Sequence, residues 1–171
     1  VPVGGCGPLG RMTPTPTVTR DLGVLMQGDP AVIDILNEAL TAELTAVNQY
    51  FIASKMAADW GLPKLAKDYY DESIDEMKHA ETLIERILFL DGVPNMQRLF
   101  PVAVGESAIE QFQLNYEMEQ QAVARYTRAV EVCVAAGDPA TRTIMEEFLR
   151  SEEHHVDDAD QHDHHEQRRG D

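Results

Sequence analysis

Two segments of this chain carry the same polar signature on the same helical frame, and that repetition limits the fold more than any other feature. Glu43 is followed 33 residues later by Glu76-x-x-His79, and Glu119 is followed 33 residues later by Glu152-x-x-His155. Each leading glutamate has a tyrosine seven residues on, Tyr50 and Tyr126. Between the members of each pair lies one break, Gly61 then Pro63 in the first and Gly137 then Pro139 in the second. A glycine that closes one helix and a proline that opens the next punctuate a tight helix–helix turn. Residues equidistant from such a turn face each other across an antiparallel hairpin. The midpoint of 43 and 76 is 59.5, beside Gly61, and that of 119 and 152 is 135.5, beside Gly137.

The runs on either side of these breaks have helical period. Asp29-Pro30 supplies an N-cap and a proline for the first turn. No Gly or Pro follows until Gly61, while Leu36, Leu40, Leu44, Val47 and Phe51 recur every three or four residues. A second helix is predicted from Pro63 to a stop at Gly92, carrying Leu65, Tyr69, Leu83, Ile87 and Leu90. A third starts at the N-cap Ser107 and presents Ile109, Phe112, Tyr116, Val123 and Val130 as far as Gly137. Asp138-Pro139 opens a fourth with Ile144, Met145 and Phe148. Residues 92–106 have no such period. Extended, they reach ~50 Å, the length of a ~30-residue helix. The expected fold is all-α, a four-helix bundle of two antiparallel hairpins joined by one long crossover.

The repeated polar residues sit inside apolar rows. These rows are Leu36, Leu40, Glu43, Val47, Tyr50; then Leu65, Tyr69, Glu72, Glu76, His79, Leu83; then Phe112, Tyr116, Glu119, Val123, Tyr126; and Met145, Phe148, Glu152, His155. A lone Glu-x-x-His is common on exposed helices, and a single buried glutamate can be a tolerated polar residue. Two matched copies on apolar rows outweigh both readings. Four carboxylates meeting in a dry core need positive charge to compensate them. Two metal ions supply it, held by a Glu from each of two helices and a Glu-x-x-His from each of the others. Mixed carboxylate and imidazole ligands favour iron or manganese. Glu76 and Glu152 are expected to bridge, since each shares a helix with a histidine. Glu43 and Glu119 are then terminal ligands, and Tyr50 an outer hydrogen-bond partner.

Composition narrows the partners. The 171 residues include 14 Lys+Arg and 30 Asp+Glu, a net charge of −16, which repels nucleic acid and anionic membranes. Cys6 and Cys133 are far apart and form no C-x-x-C pair, so a reducing cytoplasm is the expected compartment. No stretch reaches the ~18 apolar residues of a membrane span. Residues 1–25 lack the apolar region of a secretory signal and are rich in Pro, Gly and Thr. They are read as a flexible extension ahead of a domain that begins at Met26. The bundle is expected over 26–158 and an acidic, His-rich tail over 159–171.

At this level the residues resemble the bacterioferritins, within the ferritin-like superfamily. The stretches MQGDPAVIDILNEALTAELTAVNQYF and ESIDEMKHAETLIERILFLDGVPN carry the likeness, which runs from Met26 to about Val156. Glu43, Glu76, His79, Glu119, Glu152 and His155 all match the family's ferroxidase pattern. The resemblance implies oxidation of Fe(II) by O2 or H2O2 at a site for two irons per subunit. It also implies a ferric mineral stored inside a homo-oligomeric shell of 24 subunits. Met77 matches the methionine with which the family ligates haem b, one haem per subunit pair across a two-fold interface. Asp71 stands where the family often has a histidine of an extra inner iron site, with Asp75 nearby.

The C-terminal part departs from the pattern. After Val156 only Ala159 is apolar and the family's fifth helix has no counterpart, so Ile109, Phe112 and Tyr116 are expected to be under-covered. His162, His164 and His165 form a tract that can bind Ni(II), Zn(II) or Cu(II), or be a solvated acidic tail. His154 is expected to face away from the centre that His155 serves. Competing functions are a non-storage diiron oxidase or peroxidase of smaller oligomeric state and a haem-binding electron-transfer bundle built on Met77. A rubrerythrin-type peroxidase would need two C-x-x-C pairs, and a purely structural bundle would leave four buried glutamates uncompensated.

Overall fold

In the computed structural model the described residues are 27–167, with side chains described as far as Asp157. They form four helices, α1 (Pro30–Asp59), α2 (Pro63–Phe89), α3 (Ala108–Ala136) and α4 (Pro139–Gln167). The extension 1–25, with Met26 and Cys6, lies outside them.

The punctuation read from the sequence acts as expected at most ends. Asp29 accepts the amide of Ala31 at 2.8 Å, Ser107 accepts that of Glu110 at 3.2 Å, and Asp138 accepts that of Thr141 at 2.9 Å. Gly61 and Gly137 take left-handed φ of 77° and 70°, closing α1 and α3 where a Cβ would be strained. The end of α2 differs. It stops at Phe89, and the left-handed residue is Asp91, at φ 60°, rather than Gly92. Gly92 is there for space, since a Cβ on it would meet Ile87 Cγ2 at 2.9 Å.

The crossover runs along the bundle and is fastened to it by side chains. Asn37 accepts the amide of Asn95 at 2.7 Å and donates to the carbonyl of Val93 at 3.2 Å. Further on, Thr45 accepts Phe100 N at 2.9 Å, Gln49 accepts Ala103 N at 3.0 Å, and Gln111 accepts Gly105 N at 2.8 Å. Extended chain outside a sheet has backbone groups that need partners, and one face of α1 supplies most of them. Gln49 and Gln111 both donate to Asn115 Oδ1, at 3.1 and 2.8 Å, which ties this ladder into α3.

The core-facing rows of two helices differ from the hydrophobic period. On α1 the large residues Leu44 and Val47 are only half-buried and Phe51 is 48% exposed, while Ala39, Ala46, Ala53 and Ala57 are buried. On α3 the buried row is Gln111, Asn115, Glu119, Ala122, Tyr126, Ala129 and Cys133. Of the residues expected to line it, Phe112, Tyr116, Val123 and Val130 are half-buried and Ile109 is 74% exposed. The buried row of each helix is rich in small and polar side chains, with the bulkier apolar residues on its flanks, and α1 and α3 are joined by Gln49–Asn115, Tyr50–Glu119 and Tyr126–Glu43. The expected uncovered patch is thus present at Ile109 and only partial at Phe112 and Tyr116.

Two apolar clusters fill the bundle. One contains Leu36, Leu40, Leu83, Ile87, Tyr126, Met145 and Phe148. The other is built on Ala46, Tyr50, Ala53, Ala57 and Tyr69. Along each helix the repeated glutamate falls between or at the edge of these clusters, so a polar layer divides the core. Arg86 on α2 joins it to the start of α4, donating to Asp138 at 3.0 and 3.1 Å and to Thr141 at 2.8 Å. These contacts hold the Asp138 carboxyl below its usual range despite its burial.

Candidate metal centre

Each of the four helices delivers one glutamate to the polar layer, and each of these is no more than 4% exposed. The six side chains picked out by the repeat come together there. His79 Nδ1 lies 3.1 Å from Glu76, 3.6 Å from Glu43 and 3.7 Å from Glu152. His155 Nδ1 lies 3.6 Å from Glu152 and 3.8 Å from Glu119. Two compact groups result, Glu43–Glu76–His79–Glu152 and Glu76–Glu119–Glu152–His155, each with its donor atoms within 4.8 Å of one another. Glu76 and Glu152 belong to both.

The tyrosines cross between the halves. Tyr50 on α1 donates to Glu119 on α3, and Tyr126 on α3 donates to Glu43 on α1. Burial, then the charge of the accepting glutamate, hold both phenols well above their usual range, so they remain neutral donors. The sequence reading gave an outer role to Tyr50 alone, although the repeat pointed equally to Tyr126. It also gave no role to Glu72, whose Oε2 lies 3.6 Å from His155 Nε2.

Crowded carboxylates in a dry layer resist ionisation. Burial, then the neighbouring Glu43, push Glu76 well above the usual range. Burial raises Glu152 to about 9 although His155 opposes it. Contacts with Glu119 and Glu152 outweigh burial at His155 and raise it to about 11. Glu119 goes the other way: burial would raise it, but His155, Glu152 and Tyr50 together bring it below its usual value. Protons therefore occupy this layer in the protein alone. Even so, Glu43 Oε2, Glu152 Oε1 and His155 Nδ1 are buried with no hydrogen-bond partner. Such atoms are rare in native interiors, and here they are oxygen and imidazole donors aimed at one layer. That donor set fits metal ions of the iron or manganese kind.

A cavity of about 130 Å3 reaches the layer from the side where the crossover passes α1 and α3, with Glu43, Glu119, Gln49, Phe100 and Arg125 in its wall. The other residues singled out earlier lie elsewhere. Asp71 and Asp75 are exposed and paired with Lys67 and Lys78. His154 is exposed while its neighbour His155 is half-buried. Met77 is 51% exposed. Cys133 is a free, buried thiol that burial pushes up to about 11, outside the range of a reactive thiolate. Helix α4 continues through His162, His164 and His165 to Gln167, and their side chains fall outside those described.

The ferritin-like domain family matches residues 33–168. The bacterioferritin of Streptomyces coelicolor is 54% identical over 132 residues, covering 77% of this chain and 79% of that relative. The chain belongs to the bacterioferritin family, within the ferritin-like proteins. Two further bacterioferritins, from Mycolicibacterium paratuberculosis and, under the name BfrA, from Mycobacterium tuberculosis, are 47% and 43% identical over 132 residues, each with 77% of this chain and 83% of the relative covered. Family membership accounts for the bundle and its crossover. Among the described residues no helix is long and apolar enough to cross a membrane.

Proposed function

We propose that this member of the bacterioferritin family oxidises Fe(II) at the four-glutamate, two-histidine layer and stores the product as ferric mineral in a homo-oligomeric shell. The observation that carries the reading is that Glu76 and Glu152 are common to both donor groups. Two ions held by shared carboxylates sit close together, and a pair of adjacent irons, each giving up one electron, reduces O2 or H2O2 by two electrons. Glu43, Glu76 and His79 would hold one ion, Glu119, Glu152 and His155 the other, with Glu76 and Glu152 bridging. The carboxylates neutralise cation charge, and the protons they carry leave as the cations arrive. Tyr50 and Tyr126 keep the outer oxygens of Glu119 and Glu43 turned away from the layer's centre. The cavity beside Glu43 and Glu119 has room for a few water-sized molecules, which suits a small oxidant.

Haem b at Met77, one per pair of subunits, belongs to the same proposal. Met77 shares one face of α2 with Tyr70, Ile74 and Ile84, and it is exposed there with Tyr70. A thioether exposed on the outer side of α2 fits an axial ligand shared with a second copy. Storage in the cytoplasm, in a shell of the 24-subunit kind, completes the reading.

Aerobic addition of Fe(II) to the metal-free protein, followed by ferric absorbance and size-exclusion chromatography, tests it. Storage requires uptake far beyond two irons per chain in a large particle. Saturation at two irons in a small oligomer would replace it with the non-storage oxidase reading. Glu76→Ala removes an oxygen donor from both groups and should abolish the fast phase of oxidation. A wild-type initial rate in that variant would overturn the site assignment. Absence of a Soret band in protein made with ample haem would overturn the role of Met77.

A further inference from the structure

The two halves of the centre correspond at an offset of 76 residues, Glu43 to Glu119, Glu76 to Glu152, His79 to His155 and Tyr50 to Tyr126. One turn before each Glu-x-x-His the correspondence breaks: α2 has Glu72 and α4 has Phe148. The two histidines are consequently held in different ways. Phe148 is buried and lies over His79, with ring centroids 4.4 Å apart and planes 30° from parallel. Tyr126 meets the same phenyl ring edge-on at 5.5 Å, so His79 is fixed by aromatic packing. His155 has a carboxylate instead. Its Nδ1 faces Glu119 and Glu152, and its Nε2 lies 3.6 Å from Glu72 Oε2. That oxygen is buried and has no hydrogen-bond partner.

We propose that Glu72 is a positioning residue for His155, accepting its Nε2–H and so presenting the Nδ1 lone pair to the carboxylate layer. The inference rests on the dinuclear reading above and adds that the two metal positions are inequivalent. A carboxylate behind a ligating imidazole fixes its tautomer and raises its basicity, and removing such a partner lowers metal affinity about 10–100-fold. Glu72 does this for the His155 position alone. The His79 position relies on Phe148, which orients the ring without adding charge. Glu72 is therefore the residue that tells the two positions apart.

The test is a competitive Zn(II) titration of the metal-free protein, with Co(II) absorption as a second probe, for wild type, Glu72→Ala and Glu72→Gln. The amide of Gln keeps an oxygen able to accept Nε2–H. Wild type should bind two Zn(II) per chain. Glu72→Ala should lose about 10–100-fold at one position and leave the other unchanged, and Glu72→Gln should recover most of that loss. Imidazole 15N shifts of the Zn(II)-loaded protein should report Nε2–H on His155 in wild type and Glu72→Gln, and a mixed population in Glu72→Ala. Two Zn(II) bound with wild-type affinity in Glu72→Ala, or equal weakening of both positions, would overturn the role of Glu72 while leaving the dinuclear site standing. Failure of wild type to bind a second Zn(II) would instead overturn the dinuclear reading, and this inference with it.

Discussion

Tyr126 on α3 hydrogen-bonds Glu43 on α1, while Tyr50 on α1 hydrogen-bonds Glu119 on α3, so each hairpin supplies the phenol that holds the other hairpin's carboxylate. The centre is thereby coupled to the packing of the two hairpins, not only to the ligands within each. A shift of one hairpin against the other would break both contacts together.

Tyr126→Phe should weaken Zn(II) binding by about 10–100-fold, because the outer oxygen of Glu43 loses its anchor. Without metal the same change should cost about 1.5–3 kcal/mol, the usual range for a hydrogen bond to a charged group. Tyr50→Phe should match it through Glu119. Competitive titration and urea unfolding measure the two quantities. Unchanged binding in both variants would show that the phenols only fill space.

The layer should make metal binding and stability depend on pH in opposite senses. Glu152 titrates at about 9 instead of 4.5, so folding favours its protonated form. That stabilisation is complete below about pH 4.5 and is lost as pH rises to about 9. His155, raised from 6.5 to about 11, adds a contribution lost across the higher interval. The metal-free protein should melt at lower temperature as pH rises from about 6 to 8, and Zn(II), which displaces these protons, should raise the melting point more at the upper end. Calorimetry in buffers of different ionisation enthalpy should show protons released on binding. No release would contradict the protonated layer.

Gln49 is predicted to be the weak point of the crossover. Gln49→Leu keeps much of the volume but leaves Ala103 N and Asn115 Oδ1 each short of a partner. The cost should be about 1–3 kcal/mol, with faster hydrogen exchange at Ala103. Urea unfolding and exchange by mass spectrometry check both, and a wild-type midpoint would show that the ladder is dispensable.

Two glycine substitutions separate crowding from backbone strain. A Cβ on Gly105 would come within 2.5 Å of Gln111 N, so Gly105→Ala must displace main chain and should cost about 1–3 kcal/mol. Gly61→Ala meets nothing within 4 Å and suffers only from φ 77°, about 1–2 kcal/mol. Because the clash is with main chain, the Gly105 penalty should persist in thermal melts of the double variant Gly105→Ala/Gln111→Ala, falling short of additivity only by the one hydrogen bond that the two residues share.

The repeated signature made the hairpins and the six polar side chains of the centre legible, because equal spacing about two turns places facing residues at one depth without any knowledge of packing, and the crossover was legible from the aperiodic stretch 92–106. The face of α3 was not legible in the same way. Hydrophobic period favoured Ile109, Phe112, Tyr116, Val123 and Val130, whereas the interior took Gln111, Asn115, Ala122, Ala129 and Cys133. Which side of an amphipathic helix turns inward depends on how closely its neighbour approaches. Here Gln49 of α1 meets Asn115, and Gln111 offsets its desolvation by accepting an amide of the crossover.

By itself, then, the sequence determined that four helices would carry matched carboxylates and imidazoles to a common level, since helical rise and turn position fix depth along the bundle. Only the tertiary structure decided which groups meet across it: Tyr126 with Glu43, Phe148 with His79, Glu72 with His155. Those contacts join helices distant in the chain, and their geometry follows from the rotation and spacing of packed helices, which no local spacing encodes.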